Sequence, residues 1–318
     1  MTVLDAIVQG VVQGLTEFLP VSSSGHLTIS QHILGVTESN LFFNVMLHLG
    51  TLFAVLIVYR KTVADLFSGV VQIVKAIAAK SFSLRRLSRE QRLVVTLIIG
   101  LLPLVLLFVP IPGSGGLSSK QLAEIWSGAT GYFIMVGVAL LFTSILLAVG
   151  IAANRLSMKN ALHRRGSKND AGRHRLRAID ALAVGFAQLF AAVFPGLSRS
   201  GSTLAVGQLC GLSKQTALDY SFVLGIPSIL AAAVLEGKDA IASGAAAEIE
   251  IIPLLVGVVV STVVGFFAIL LFKWMLAKDR MYIFVIYTAV VGIAVVIISL
   301  VELNAGVNIF TGEALSFM

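Results

Sequence analysis

The chain has 318 residues, 57% of them hydrophobic and only 12% charged, with a mean hydropathy of +0.96. A soluble domain carries roughly 25% charged residues, so a water-facing surface cannot be built from this sequence, and the class is an all-α polytopic membrane protein forming one membrane domain, residues 1–318. The net charge of +7 is not a nucleic-acid footprint: eight Lys/Arg fall between Arg60 and Arg92, eight between Arg155 and Arg177 and three between Lys273 and Arg280, in the connections between apolar segments, which is the pattern of cytoplasmic loops between spans.

In chain order, Asp5 is the only early charge, so no basic region precedes the first apolar stretch and no cleavable signal peptide is expected. Residues 3–38 read as an apolar helix, a polar knot (Pro20 to His26) and a shorter apolar helix. Broken backbone at membrane depth is tolerated only inside protein or against a wet cavity, so this region is expected to be a re-entrant helical hairpin. Gln13 and Glu17 are four apart and share a helix face. Pro20 cannot continue that helix. Ser22, Ser23, Ser24, Gly25 and His26 follow, and hydroxyls with free amides at the start of the next helix make a phosphate cradle. A charged acid such as Glu17 in an apolar stretch costs about 2.5–3.5 kcal/mol to insert and is rarely idle. His26 has the chemistry of a general acid, base or nucleophile. Each residue also has a plainer reading. Glu17 would be a packing carboxyl, Gln13 a bridging amide, His26 a satisfied ring, and Ser22 and Ser24 turn serines.

Spans of about 20 residues are expected at 41–59, 93–110 and 128–152. Asn44 and His48 on the first of them line a cavity or simply bond between helices. Residues 63–79 suit an interfacial amphipathic helix. The stretch 111–124 is Gly/Ser-rich and fits the outside, and 153–177 is a basic cytoplasmic loop. A second region, 178–213, repeats the hairpin pattern around a knot from Pro195 to Gly201. Arg199 is the only positive charge between Arg177 and Lys214, and its planar fork suits a phosphate. Ser198, Ser200, Ser202 and Thr203 add hydroxyls. Further spans are expected at 216–235, 251–272 and 281–301. They are separated by the acidic stretch 236–250 and followed by a tail, 302–318.

The two hairpins belong to an internal repeat. Asp5-Ala6, Gly10, Gln13, Pro20 and Ser23 recur 175 positions later as Asp180-Ala181, Gly185, Gln188, Pro195 and Ser198; Gly25 and Gly35 recur at 176, and Leu49-Gly50 at 175, as Leu224-Gly225. The loop charges put the first hairpin's start outside and the second's inside. The two halves, 1–152 and 178–301, are therefore expected to have opposite topology, with the site where they meet. Asp5 and Asp180, at matching helix starts, suit capping at the positive dipole end.

The stretch Gln13-Gly-Leu-Thr-Glu17-Phe-Leu-Pro20-Val-Ser-Ser-Ser-Gly25-His26, followed by Pro195-Gly-Leu-Ser-Arg199-Ser-Gly201, resembles the two signatures of the BacA/UppP family of undecaprenyl-diphosphatases. The resemblance runs along the whole chain. It implies hydrolysis of undecaprenyl diphosphate to the monophosphate, recycling of the cell-wall lipid carrier, bacitracin resistance, and a site facing the extracytoplasmic side of the bacterial cell membrane. It maps the acidic motif onto Gln13 and Glu17, the serine/histidine element onto Ser23 and His26, and the phosphate arginine onto Arg199. Catalysis is then expected from Glu17, Ser23, His26 and Arg199, with Ser22, Ser24, Ser198, Ser200 and Thr203 as further phosphate donors. A divalent cation, Mg²⁺ or Ca²⁺, is expected on Glu17 and Gln13 through oxygen ligands. Partners are the polyprenyl diphosphate and membrane lipids; a homodimer is left open. The competing function is a polyprenyl-phosphate transporter or flippase, since inverted repeats with paired broken helices are a transporter architecture. The other membrane lipid phosphatase pattern needs a histidine after Ser198-Arg199, and the chain has none there.

Overall fold

A computed structural model of the chain describes residues 2–35, 41–84, 86–112, 115–128, 132–165, 172–242 and 250–315. Parts of the expected basic loop (166–171), of the acidic stretch (243–249) and of the tail (316–318) lie outside the described residues. Among the described residues the fold is helical, with no strand beyond three isolated bridges. The elements are α1 (Val3–Thr16), α2 (Ser23–Leu34), α3 (Leu41–Val58), α4 (Arg60–Ala78) and α5 (Arg89–Leu101), which runs into a 3-10 segment (Leu102–Phe108). They continue with α6 (Ser119–Gly128), α7 (Tyr132–Arg165), α8 (Ala178–Val193), α9 (Arg199–Leu209), α10 (Lys214–Ala242), α11 (Ile251–Ala277) and α12 (Tyr282–Ala305).

Five helical segments are long and apolar enough to cross a bilayer, or six when α3 is counted with α4, from which it is bent by 87°. Each of the six spans expected from sequence coincides with one of them. The protein is a multi-pass membrane protein. The span expected at 93–110 changes character at Pro103, whose ring and missing N–H cannot continue the α-helical ladder, so its second half is the 3-10 segment. The basic connection after α3 is not a loop: it folds as α4, whose Phe67, Val70, Val74 and Ile77 are exposed, the apolar stripe of an interfacial helix. Gly69 lets α4 lie on α5, since a Cβ there would stand 2.6 Å from the Glu90 carbonyl oxygen.

The four hairpin helices have 14, 12, 16 and 11 residues. At 1.5 Å per residue they reach only about 16–24 Å, short of the roughly 30 Å hydrocarbon core. Their first helices start on capping carboxylates. Asp5 Oδ2 accepts from the Thr2 amide at 2.9 Å and Asp180 Oδ2 from the Arg177 amide at 2.9 Å. Asp180 also holds both arms of Arg173, at 2.7 and 2.8 Å.

The halves are exchanged rather than stacked: α1 packs on α11 of the second half, and α8 on α5 of the first. Both contacts run through glycine, which allows the close backbone approach typical of membrane helix pairs. A Cβ on Gly10 would lie 2.9 Å from the Gly257 carbonyl oxygen, and one on its counterpart Gly185 would run into the carbonyl oxygen of Gly100. An aromatic core fixes the inner end of α1. Phe18 packs edge-on against Phe222 of α10 at 5.1 Å, Phe222 against Phe272 of α11 at 5.7 Å, and Phe272 against Phe284 of α12 at 5.3 Å.

Candidate active site

The two knots meet. Glu17 is the C-cap of α1, directly after its last residue Thr16, and its neighbour Phe18, held in the aromatic core, fixes where its carboxylate points. That carboxylate is buried and gripped from both hairpins. Arg199 Nη2 donates to Glu17 Oε1. Glu17 Oε2 accepts from Ser23 Oγ at 2.7 Å and from Gln13 Nε2 at 2.8 Å, and His48 Nε2 of α3 lies 3.5 Å away. The Ser200 hydroxyl of the second knot donates to the Leu19 carbonyl of the first at 3.0 Å. A carboxylate removed from water needs this density of partners; a buried charge without them is expelled or neutralised.

Both outgoing helices begin with the same device. Ser22 caps α2 by accepting from the Gly25 amide at 3.2 Å, and Ser198 caps α9 by accepting from the Gly201 amide at 3.0 Å. This corrects the register read from sequence. The cap serines are 176 apart, so the extra residue enters just after the prolines. Ser22, not Ser23, matches Ser198, and the true counterpart of Ser23 is Arg199. Sequence identity misled because three serines in a row offer two equally good alignments. The first helical position of each outgoing helix therefore carries the group that touches Glu17, a hydroxyl in one half and a guanidinium in the other. Ser22 holds φ at 73°, a left-handed conformation that costs a non-glycine residue about 1–3 kcal/mol and recurs at functional sites.

A cavity of about 470 Å³ opens onto this cluster. Glu17, Ser22, Ser23, Ser24, His48, Ser198, Arg199 and Ser200 line its polar end. Leu104, Phe108, Ala192, Ala232 and Leu235 form an apolar wall, and Lys120 in the first turn of α6 and Glu236 in late α10 also line the cavity. The remaining expected residues do not line the cavity. His26 turns toward α12: Nδ1 bonds the Ser22 carbonyl at 2.8 Å, Nε2 meets the Tyr287 hydroxyl at 2.7 Å, and the two rings stack. Thr203 donates to the Arg199 carbonyl at 2.8 Å and meets Ser221 at 2.5 Å, so it buttresses the arginine's helix. Gln13 sits under Glu17, with its Oε1 buried and unpartnered.

Three residues carry more of the site than their sequence context suggests. His48 is the imidazole on the cavity wall, held by Nδ1 at 2.8 Å from the Asn44 carbonyl. Thr143 of α7 accepts from the Ser198 amide at 3.1 Å and seats the second cap. Gly225 makes the notch for Arg199, since a Cβ there would stand 2.7 Å from Nη1. The recurrence of Gly50 as Gly225 was the available signal for the last; nothing in the sequence marks Thr143.

The Bacitracin resistance protein BacA family model matches residues 6–294. The chain belongs to the BacA family. It is 36% identical over 303 residues to an undecaprenyl-diphosphatase of Alkaliphilus metalliredigens, covering 94% of this chain and 100% of that one. Undecaprenyl-diphosphatases of Bacteroides fragilis (33% over 300 residues, 93% and 97% covered) and Methanosphaera stadtmanae (34% over 308 residues, 95% and 99% covered) are similar to it at comparable levels. In this BacA-family chain the donor set for a metal is sparse. Among the described residues no three His, Cys, Asp or Glu side chains cluster as ligands, and the one carboxylate already carries a guanidinium. Of the two expected ligands, Glu17 lines the cavity, whereas Gln13 turns its Nε2 to Glu17 and keeps Oε1 buried away from the cavity, so only Glu17 is placed to meet a hard cation that arrives with a diphosphate and fills the rest of its shell from phosphate and water.

Proposed function

We propose that this chain is an undecaprenyl-diphosphate phosphatase, hydrolysing the diphosphate to the monophosphate and inorganic phosphate. The observation that carries the reading is the contact of Arg199 and Ser23 with the two oxygens of one buried carboxylate, at the end of an apolar-walled cavity, in a chain of the BacA family. Hydrolysis of a phosphoric anhydride asks for positioning and charge stabilisation more than for covalent chemistry. Arg199 lines the cavity and supplies the cation, with Nη2 on Glu17 and Nη1 seated in the Gly225 notch without a hydrogen-bond partner. The Gly25 and Gly201 amides are taken by the serine caps, and the amides of the first two residues of α2 and α9 lack an in-helix acceptor, which suits an anion.

Ser23 is the nucleophile in this reading. Its hydroxyl already donates to Glu17 Oε2, so the proton passes to that carboxylate as Oγ attacks the terminal phosphorus. The bridging oxygen leaves with the prenyl monophosphate, and water then releases phosphate from the serine. A divalent cation arriving with the diphosphate and held by Glu17 would neutralise charge on the diphosphate oxygens. His26 acts through the backbone, by tying the Ser22 carbonyl of the strained turn to α12. The apolar wall takes the first isoprene units, and the rest of the tail stays in lipid. The loop charges support a cavity mouth on the extracytoplasmic side of the cell membrane. Rapid acid quench during a single turnover tests the step: phosphoserine at Ser23 is expected, and its absence while phosphate is released would give the attack to water instead.

A further inference from the structure

A second, larger cavity, of about 870 Å³, lies at the end of the molecule that carries the basic connections. Six cations from four separate elements converge on it: Arg60 and Lys61 from the first turn of α4, Arg89 and Arg92 from the first turn of α5, Arg175 ahead of α8, and Lys273 near the end of α11. Three carboxylates face them, Asp65, Glu90 and Asp219, leaving three positive charges in excess. Asp219 is already committed, accepting from the Tyr59 hydroxyl at 2.7 Å and from Gln215 at 2.9 Å. Lys273 lies over the face of the same tyrosine, 4.0 Å from its centroid. Orientation rules account for basic residues on this side of the molecule. They do not account for a concave gathering of them, nor for the apolar wall of Leu93, Val223, Phe266 and Leu270 that continues the cavity. The sharp bend at Tyr59 brings the first turns of α4, a helix with the exposed apolar stripe of an interfacial helix, to the cavity wall.

We propose that this cavity binds the phosphate headgroup of an anionic lipid, with the cations on the phosphate and the apolar wall on the first part of the chain. The chemistry is shared by an ordinary phospholipid of that leaflet and by a prenyl monophosphate, and both differ from free phosphate in needing the wall. The site is separate from the Glu17–Arg199 cluster and does not depend on the reading of that cluster.

The test is native mass spectrometry of the full-length protein in detergent with dioleoyl phosphatidic acid, farnesyl phosphate, dioleoyl phosphatidylcholine and inorganic phosphate as probes. The variants are Arg89→Gln/Arg92→Gln together and Lys273→Gln alone, on different elements so that a folding failure in one leaves the other; a single size-exclusion peak and an unchanged melting temperature certify each. Because a charge-assisted hydrogen bond to phosphate is about twice as strong as a neutral one, retention of the anionic lipid is expected to weaken about tenfold per charge removed. Loss with phosphatidic acid assigns the site to bilayer phospholipid; loss confined to farnesyl phosphate assigns it to the prenyl monophosphate. Equal retention of phosphatidylcholine, unchanged retention in both variants, or capture of inorganic phosphate with no preference for a lipid would overturn the proposal.

Discussion

The two knots are built on one plan and end in different chemistry. Each follows an apolar helix that stops at a proline, each outgoing helix is capped by a serine on a glycine amide, and each presents its first helical side chain to the same place. In the first half that side chain is Ser23, on a turn whose cap is strained at φ 73°. In the second it is Arg199, on a turn where the cap is relaxed and glycine carries the positive φ, at Gly196. Glu17 is paired with both, and its own counterpart 175 positions on is Ala192. In the proposed mechanism the duplicated cradle has kept its architecture and divided the labour: one copy holds charge, the other supplies the attacking hydroxyl and the carboxylate that takes its proton. Glu17 and Ser23 belong to one half and Arg199 to the other, and both halves contribute to the apolar wall, so neither half alone forms the site.

Breaking the division at its charge is expected to cost most. Arg199→Ala removes the cation facing the transferred phosphoryl group, and loss of one such stabilising donor lowers kcat by about 10²–10³-fold or more. It also leaves Glu17 buried without its counter-ion, a change that destabilises by about 3–5 kcal/mol. Arg199→Lys, read for phosphate release and for Tm together, separates the two effects: stability is expected to recover and turnover is not, because a point charge replaces the fork. Next comes Ser23→Ala, expected to reduce turnover by at least about 10²-fold with Tm nearly unchanged, since the hydroxyl gives Glu17 only one of its several partners. Swapping the two first positions, Ser23→Arg with Arg199→Ser, restores the composition but not the strained turn, and is expected to stay inactive.

The two histidines sharpen the comparison further. His26→Ala is expected to impair activity by loosening the Ser22 turn, and His26→Asn, which can still bond that carbonyl, to recover part of it; His48→Ala removes a group on the cavity wall itself and no isostere is expected to rescue it to the same degree. Rescue of His48 but not of His26 would exchange the roles of the two rings. The smallest effect is expected at the caps. Ser198→Ala, read as Tm, should cost about 1 kcal/mol, and Ser22→Ala more than that, because the same side chain also holds the positive-φ turn.

The charges in apolar stretches were legible in the sequence because insertion makes them expensive: Glu17 and Arg199 stand out in runs otherwise free of charge, and they are the pair the structure joins. The spans were legible for the same reason, with sharp edges set by Arg60, Arg177 and the acidic connections. What the sequence hid is rotational. His26 reads as part of the serine cluster, yet three residues along a helix are enough to turn it to α12, and the angle is set by a backbone conformation at Ser22 that no composition rule forces on a serine. His48 is distant in sequence and becomes a neighbour of Glu17 only through the packing of α3. The 87° bend at Tyr59 has no proline or glycine to announce it, and the cation-lined cavity beside it was therefore invisible as a cavity, though every one of its charges is plain in the sequence.

Phosphate release from a long-chain prenyl diphosphate by the purified protein in detergent, alongside Arg199→Lys and Ser23→Ala variants of intact Tm, is the most direct test of the central claim. The account predicts one phosphate per lipid from the wild type without any sealed compartment, and a loss of at least about 10²-fold in each variant. Near-normal turnover in either variant, or a wild type that moves prenyl phosphate across vesicles but hydrolyses nothing in detergent, would contradict it.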